Sequence, residues 1–177
     1  MKHHLNIILL ALRVLIICMG ISALYNFFSA YVNAVHKDEA MAIIAEKFHL
    51  SAPPGKPAPY STAPLPYYFI CCGILLCYLV YVLVQLNRSF NRLKKGNIFY
   101  EKQAIEFKRA GGGLIIFAKC NYFINCGFGA VFFMSVHGFL TEIPQFLFIY
   151  LAGKLVLVLY YLAEKGTFLK EEADLTI

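Results

Sequence analysis

The chain has 177 residues, of which 60% are hydrophobic and only 15% are charged, and its formal net charge is +6. Soluble domains are typically about half apolar and about a quarter charged, so this composition excludes an ordinary soluble protein. The surplus of apolar side chains has to face lipid, and too few residues remain for a separate soluble catalytic domain.

Four stretches are long and apolar enough to cross a bilayer. A helix needs roughly 20 predominantly apolar residues to span the hydrocarbon core. The candidate spans cover residues 5–32, 67–86, 112–138 and 143–163. We therefore predict an all-α membrane protein, a single domain over residues 1–177 with four transmembrane helices.

The first stretch also has features of a secretory signal peptide, because Lys2 precedes its apolar run. The apolar region of a signal peptide has only about 7 to 15 residues. This run is far longer, and Arg13 interrupts it. We predict a retained first span, which gives an even number of crossings and places both termini on one side.

The loop at residues 33–66 has two parts of different character. In the first part Met41, Ile44 and Phe48 share one face at helical periodicity, which predicts an amphipathic helix. The second part carries six of the seven prolines and predicts an extended linker. His36 and His49 would lie about 20 Å apart on one helix, so they cannot share a metal ion. A local pair of His49 and Glu46 stays open as an alternative, but a solvated helix face is favoured. We expect no metal site and no other cofactor.

The loop at residues 87–111 concentrates positive charge. It holds seven of the sixteen Lys and Arg residues: Arg88, Arg92, Lys94, Lys95, Lys102, Lys108 and Arg109. We predict that the second span continues past the bilayer and stops at Gly96 and Asn97, residues that commonly end helices. A short amphipathic helix follows against anionic headgroups, and three glycines from Gly111 separate it from the third span.

The positive charges also predict an orientation. With the N-terminus inside, the inner segments hold ten Lys and Arg residues, including Lys165 and Lys170 of the tail at residues 164–177. The outer loop holds three, Lys37, Lys47 and Lys56. Basic residues are in excess in cytoplasmic loops, so both termini are predicted to be cytoplasmic.

Three cations lie inside the predicted spans, where a charge is costly and often functional. Arg13 and Lys119 are near enough to the cytoplasmic ends of their helices for their side chains to reach the interface. Lys154 lies near the midplane, so we expect it to face the bundle interior. With Asn121 and Asn125 of the third span, these residues form a candidate intramembrane anion site.

Two charged segments carry a family resemblance: "LKKGNIFYEKQAIEFKRAGG" in the basic loop and "KGTFLKEEADLTI" at the end. They resemble a bacterial membrane family, domain of unknown function 2975. The matching positions are Gly96, Phe99 and Glu101, followed by Gly166, Leu169, Glu172, Asp174, Leu175, Thr176 and Ile177. The resemblance implies the bacterial cytoplasmic (inner) membrane and a frequent genomic companion, a small helix-turn-helix transcription regulator.

The leading hypothesis is a non-enzymatic interaction or regulatory module, since the sequence has no phosphate-binding glycine loop or HExxH motif. Its cytoplasmic face would bind membrane lipids and such a regulator, without contacting nucleic acid itself. The candidate residues are Arg88, Arg92, Lys94, Lys95, Ile98, Phe99, Glu171, Glu172 and Asp174. The alternative is a small transporter or a lipid- or anion-binding protein with a crevice near Lys154.

Overall fold

The computed structural model describes residues 2–35, 63–94, 103–133 and 137–175. These residues form five helices: α1 (Lys2–Val35), α2 (Leu65–Lys94), α3 (Gln103–Phe133), α4 (His137–Thr141) and α5 (Ile143–Leu175). The described part of the chain contains no strand. The predicted all-α fold is confirmed.

Four helical segments are long and apolar enough to cross a membrane, as predicted. They are His3–Val35, Leu65–Lys94, Gln103–Phe132 and Phe139–Gly166. With 28 to 33 residues each, they measure about 42 to 50 Å at 1.5 Å per residue. The hydrocarbon core of a bilayer is about 30 Å thick, so each helix extends beyond it.

The helices pack in the order in which they follow one another along the chain. α1 packs along α2 and α3 packs along α5, while the contact between α2 and α3 joins the two pairs. Large apolar side chains such as Leu24 and Phe28 point away from these contacts and are exposed. Exposed apolar side chains of this kind are expected where a helix faces lipid.

The main apolar core lies between α2, α3 and α5. Its buried members are Leu79, Val82, Leu83, Leu86, Ala104, Phe107, Ala110, Leu114, Phe117 and Ala163. A second, smaller cluster lies at the opposite end of the helices and contains Ala30, Leu65, Tyr68 and Phe69. The main core continues through residues 104–110, which precede the predicted third span.

The predicted break at Gly111, Gly112 and Gly113 is wrong, because α3 runs through all three without interruption. The predicted amphipathic helix is the first part of α3. Gly111 and Gly113 allow close helix packing. A Cβ added at Gly111 would lie 2.9 Å from the carbonyl oxygen of Gly153, and one added at Gly113 would lie 2.5 Å from Cγ2 of Val82.

Other predictions fall outside the described residues. The amphipathic part of the predicted outer loop and residues 51–62 of its proline-rich part lie there, since α1 ends at Val35 and the description resumes at residue 63. The predicted stop at Gly96 and Asn97 lies there as well. The end of the predicted linker is wrong, because Leu65 and Pro66 form the first turn of α2. α5 continues past residue 163 to Leu175, so most of the predicted tail is helical.

Candidate functional site

The positively charged end of the helices is built on an apolar core. Phe107 of α3 is only 3% exposed, and its ring packs edge-on against Phe90 of α2 with a centroid distance of 5.6 Å. Leu86 and Ala104 are buried in the same cluster. The last turns of α2 and the first turns of α3 are therefore held together by side-chain packing.

An ion pair links the same two helices. Nη1 of Arg92, in the last turn of α2, lies 2.7 Å from Oε1 of Glu106, in the first turn of α3. Each charge is also favoured by the dipole of its own helix end. Because both side chains are partly exposed, the pair contributes about 0 to 1 kcal/mol. It orients the helix ends more than it stabilises them.

Four further cations lie in the last turns of α2 and the first turns of α3. Arg88 and Lys94 are exposed on α2, and Lys108 and Arg109 are exposed on α3. Nζ of Lys108 lies 5.4 Å from the ring centroid of Tyr160 on α5. α2 and α3 therefore carry most of the positive charge at this end, and α5 contacts it through Tyr160.

The other candidate residues of the predicted cytoplasmic face are not placed. Lys95, Ile98 and Phe99 lie outside the described residues. Glu171, Glu172 and Asp174 are on the helical backbone of α5, but their side chains are outside the description. A contact between the basic loop and the acidic tail stays a prediction.

The expectation that Lys154 faces the bundle interior is wrong. Its side chain is exposed, and its Nζ lies 5.5 Å from the ring centroid of Tyr150 on the same helix. The preceding residue, Gly153, is the one that packs against α3. Successive residues of a helix point about 100° apart, so Lys154 is turned away from that contact.

The other members of the predicted anion site are dispersed. Arg13 and Lys119 are exposed, and Asn121 and Asn125 are partly buried. In the part of the chain that the structure describes, no hydrogen bond or ion pair joins any of them to Lys154. Their role in binding an anion stays a prediction, without a common cavity to support it.

Asn125 instead belongs to a polar cluster at the opposite end of the helices. Its Oδ1 accepts a hydrogen bond of 2.7 Å from the hydroxyl of Tyr68. Its Nδ2 donates one of 3.2 Å to Oε2 of Glu142. Tyr68, on α2, is only 1% exposed, and Glu142 lies in the turn between α4 and α5. This cluster connects three parts of the fold.

The site residues predicted from the sequence include Asn125 but not Tyr68 or Glu142. The predicted topology could have indicated that these polar residues lie close together. Consecutive spans run in opposite directions, so the start of α2, the second half of α3 and the start of α5 meet at one end. Polar side chains that topology brings to one membrane end are candidates for hydrogen bonding to one another.

We expect Asn125→Leu to lower the free energy of unfolding in detergent by about 1 to 2 kcal/mol, because it removes two hydrogen bonds between helices. Asn121→Leu is the matched control, since Asn121 makes no hydrogen bond within the described ranges. A cycle combining Tyr68→Phe with Asn125→Leu should give a coupling free energy of about 0.5 to 1.5 kcal/mol. If the losses of stability in the two single variants simply add up in the double variant, the hydrogen bond between Tyr68 and Asn125 is contradicted.

Residues able to hold a metal ion do not gather in the described part of the chain. No group of three or more His, Cys, Asp or Glu side chains is found there. The six cysteines are free, and Cys126 is buried in the helix packing. Buried free cysteines commonly serve as small apolar packing residues.

The chain matches the model of a known protein family. A family model described as "Protein of unknown function (DUF2975)" matches residues 2–177. No curated protein and no solved structure matches the chain. The match includes both the basic segment and the acidic end of the sequence.

Proposed function

Because the chain belongs to the DUF2975 family of unknown function, as its two charged segments predict, we propose its role from its own geometry. The proposal is a non-enzymatic, multi-pass protein of the bacterial cytoplasmic membrane with both termini in the cytoplasm. Its basic end, defined by Arg88, Arg92, Lys94, Lys108 and Arg109, is an interaction surface for a cytoplasmic partner.

One observation carries this proposal: the apolar core continues into the charged segment. Ala104 and Phe107 are buried there together with Leu86 of α2. The positive-inside rule requires basic residues in a cytoplasmic loop, but it does not require that their backbone be packed. A packed, charged helix pair is what a preformed binding surface needs, because it lowers the entropy lost on association.

The charges indicate the chemistry of the partner. Arg88, Lys94, Lys108 and Arg109 are exposed and would complement an acidic protein surface. The family resemblance suggests a small helix-turn-helix regulator as that partner, held at the membrane through its own acidic residues. Contacts between exposed charges weaken as salt is added, so such a complex would be strongest at low ionic strength.

Charge reversal tests the proposal. We expect the pair Arg88→Glu and Lys94→Glu to reduce recovery of the captured partner at least tenfold, a loss of about 1.4 kcal/mol in binding. Neither side chain makes an ion pair among the described residues, so the fold should survive. The measurement is affinity capture from native membranes in mild detergent, quantified by mass spectrometry.

A matched control carries the same change of charge elsewhere. Lys47→Glu and Lys56→Glu reverse two lysines of the predicted outer loop and should leave capture unchanged. If the Arg88 and Lys94 variant captures the partner as well as the native protein does, the basic end is not the binding surface.

A further inference from the structure

A groove runs between α2 and α3 on the side surface of the helix bundle. Its volume is about 450 Å³. Tyr78 and Val82 of α2 form one wall, Ile116 of α3 forms part of the other, and Gly112 and Gly113 lie between them. Gly112 leaves the groove open, since a Cβ added there would meet no atom within 4 Å, whereas the missing side chain of Gly113 lets Val82 approach α3.

Charge is confined to one end of this groove. Lys108 and Arg109 line it one turn before Gly112, whereas the residues toward Ile116 are apolar or aromatic. The described residues that line the groove include these two cations and no carboxylate. From Lys108 to Ile116 the groove follows α3 for about 12 Å. It therefore has a cationic mouth and an apolar body.

We propose that this groove is a binding site for one anionic phospholipid. The phosphate is bound at Lys108 and Arg109, and the first part of an acyl chain lies between Tyr78, Val82 and Ile116. Ammonium and guanidinium groups are strong donors to phosphate oxygens. Basic pockets at the cytoplasmic side of membrane helices bind acidic headgroups for this reason.

The groove favours an anionic phospholipid over other ligands with the same charge. A free phosphate ion would use Lys108 and Arg109 but would leave the apolar walls unoccupied. A zwitterionic phospholipid would bring its own cation close to these two side chains, where like charges repel. A net negative headgroup joined to an acyl chain fits both parts of the groove.

Lipid retention in native mass spectrometry tests the site on the full-length protein. The probes are dioleoyl phosphatidylglycerol and dioleoyl phosphatidylcholine, offered separately in mild detergent. We expect the native protein to retain one phosphatidylglycerol with a preference of roughly tenfold or more. The pair Lys108→Gln and Arg109→Gln should lose that preference while its circular dichroism stays unchanged.

Two other variants distinguish binding of the lipid in the groove from general attraction to positive charge. Gly112→Leu places a side chain in the groove and keeps both cations, so it should abolish retention of phosphatidylglycerol. Arg88→Gln with Lys94→Gln removes equal charge from α2 at residues that do not line the groove, and retention should persist.

Each outcome decides the proposal. Retention by the Lys108 and Arg109 variant or by Gly112→Leu would overturn it, as would loss in the Arg88 and Lys94 control equal to that in the groove variants. Excess inorganic phosphate at constant ionic strength should not displace the lipid. Complete displacement would indicate a simple anion site and would also overturn the proposal.

Discussion

Gly111→Leu is expected to destabilise the fold more than any other single change discussed above, because it separates α3 from α5. A Cβ at this position would lie 2.9 Å from both the carbonyl oxygen of Gly153 and Cγ of Leu157. The contact is reciprocal, since a Cβ at Gly153 would lie 2.8 Å from Cγ1 of Ile115 and 3.1 Å from the carbonyl oxygen of Gly111.

The size of the effect follows from what blocks the new side chain. Overpacking a well-packed interior typically costs about 1 to 3 kcal/mol when neighbouring side chains can shift. Here the backbone of α5 blocks the new side chain, so the two helices must move apart along their shared contact. We therefore expect a loss at the upper end of that range or beyond, measured by thermal unfolding in detergent.

Gly112→Leu is the matched control for this prediction. It makes the same substitution one residue later, where an added Cβ meets nothing within 4 Å. Glycine costs about 1 kcal/mol relative to alanine in a helix interior, and leucine is nearly as good as alanine. The stability of this variant should be unchanged or slightly higher. Equal losses in the two variants would show that the close contact between Gly111 and Gly153 is not the cause of the loss.

Gly111, Gly112 and Gly113 also show which features of the fold could be predicted from the sequence and which could not. The four spans could be predicted because spanning a membrane depends on length and apolar content, which are local properties. The course of α3 through Gly111 could not, because glycine alone predicts a break. Gly111 packs against Gly153, which lies on another helix and far along the chain. Only the packed structure brings these two backbones together.

The candidate site was predictable to a similar extent. The exposed charges Arg88, Arg92 and Lys94 follow from the basic loop, but Glu106 was not identified as a partner for Arg92. The side to which Lys154 points could not be predicted, because residues 146–163 of α5 are otherwise almost entirely apolar on all faces and no pattern marks the packed face. Gly153 lies on the packed face, and Lys154, the next residue, therefore points away from the interior.

Phe107→Ala is expected to lower the free energy of unfolding by about 3 to 5 kcal/mol, the range for removing a buried aromatic side chain. Phe107 lies between the charged residues Glu106 and Lys108, so we expect this turn of α3 to lie at or beyond the membrane surface. There the hydrophobic effect stabilises burial, whereas within lipid it does not drive helices together. Chemical denaturation and amide hydrogen exchange of α2 and α3 measure the loss.

Phe168→Ala is the matched control, since it makes the same chemical change on α5 at a side chain that is 59% exposed. A loss below about 1 kcal/mol is expected there, because little buried surface is removed. Amide exchange in the Phe107 variant should rise first in the last turns of α2 and the first turns of α3. A uniform rise along all helices would contradict a separately packed end.

The Phe107 variant also separates two explanations of the basic end. It leaves every charge in place, so a partner attracted by charge alone would still be captured. If binding requires the packed arrangement of α2 and α3, capture should fall together with protection of these turns from exchange. Loss of protection with full capture would leave the basic residues with only an electrostatic role, and the core beneath them would then serve stability alone.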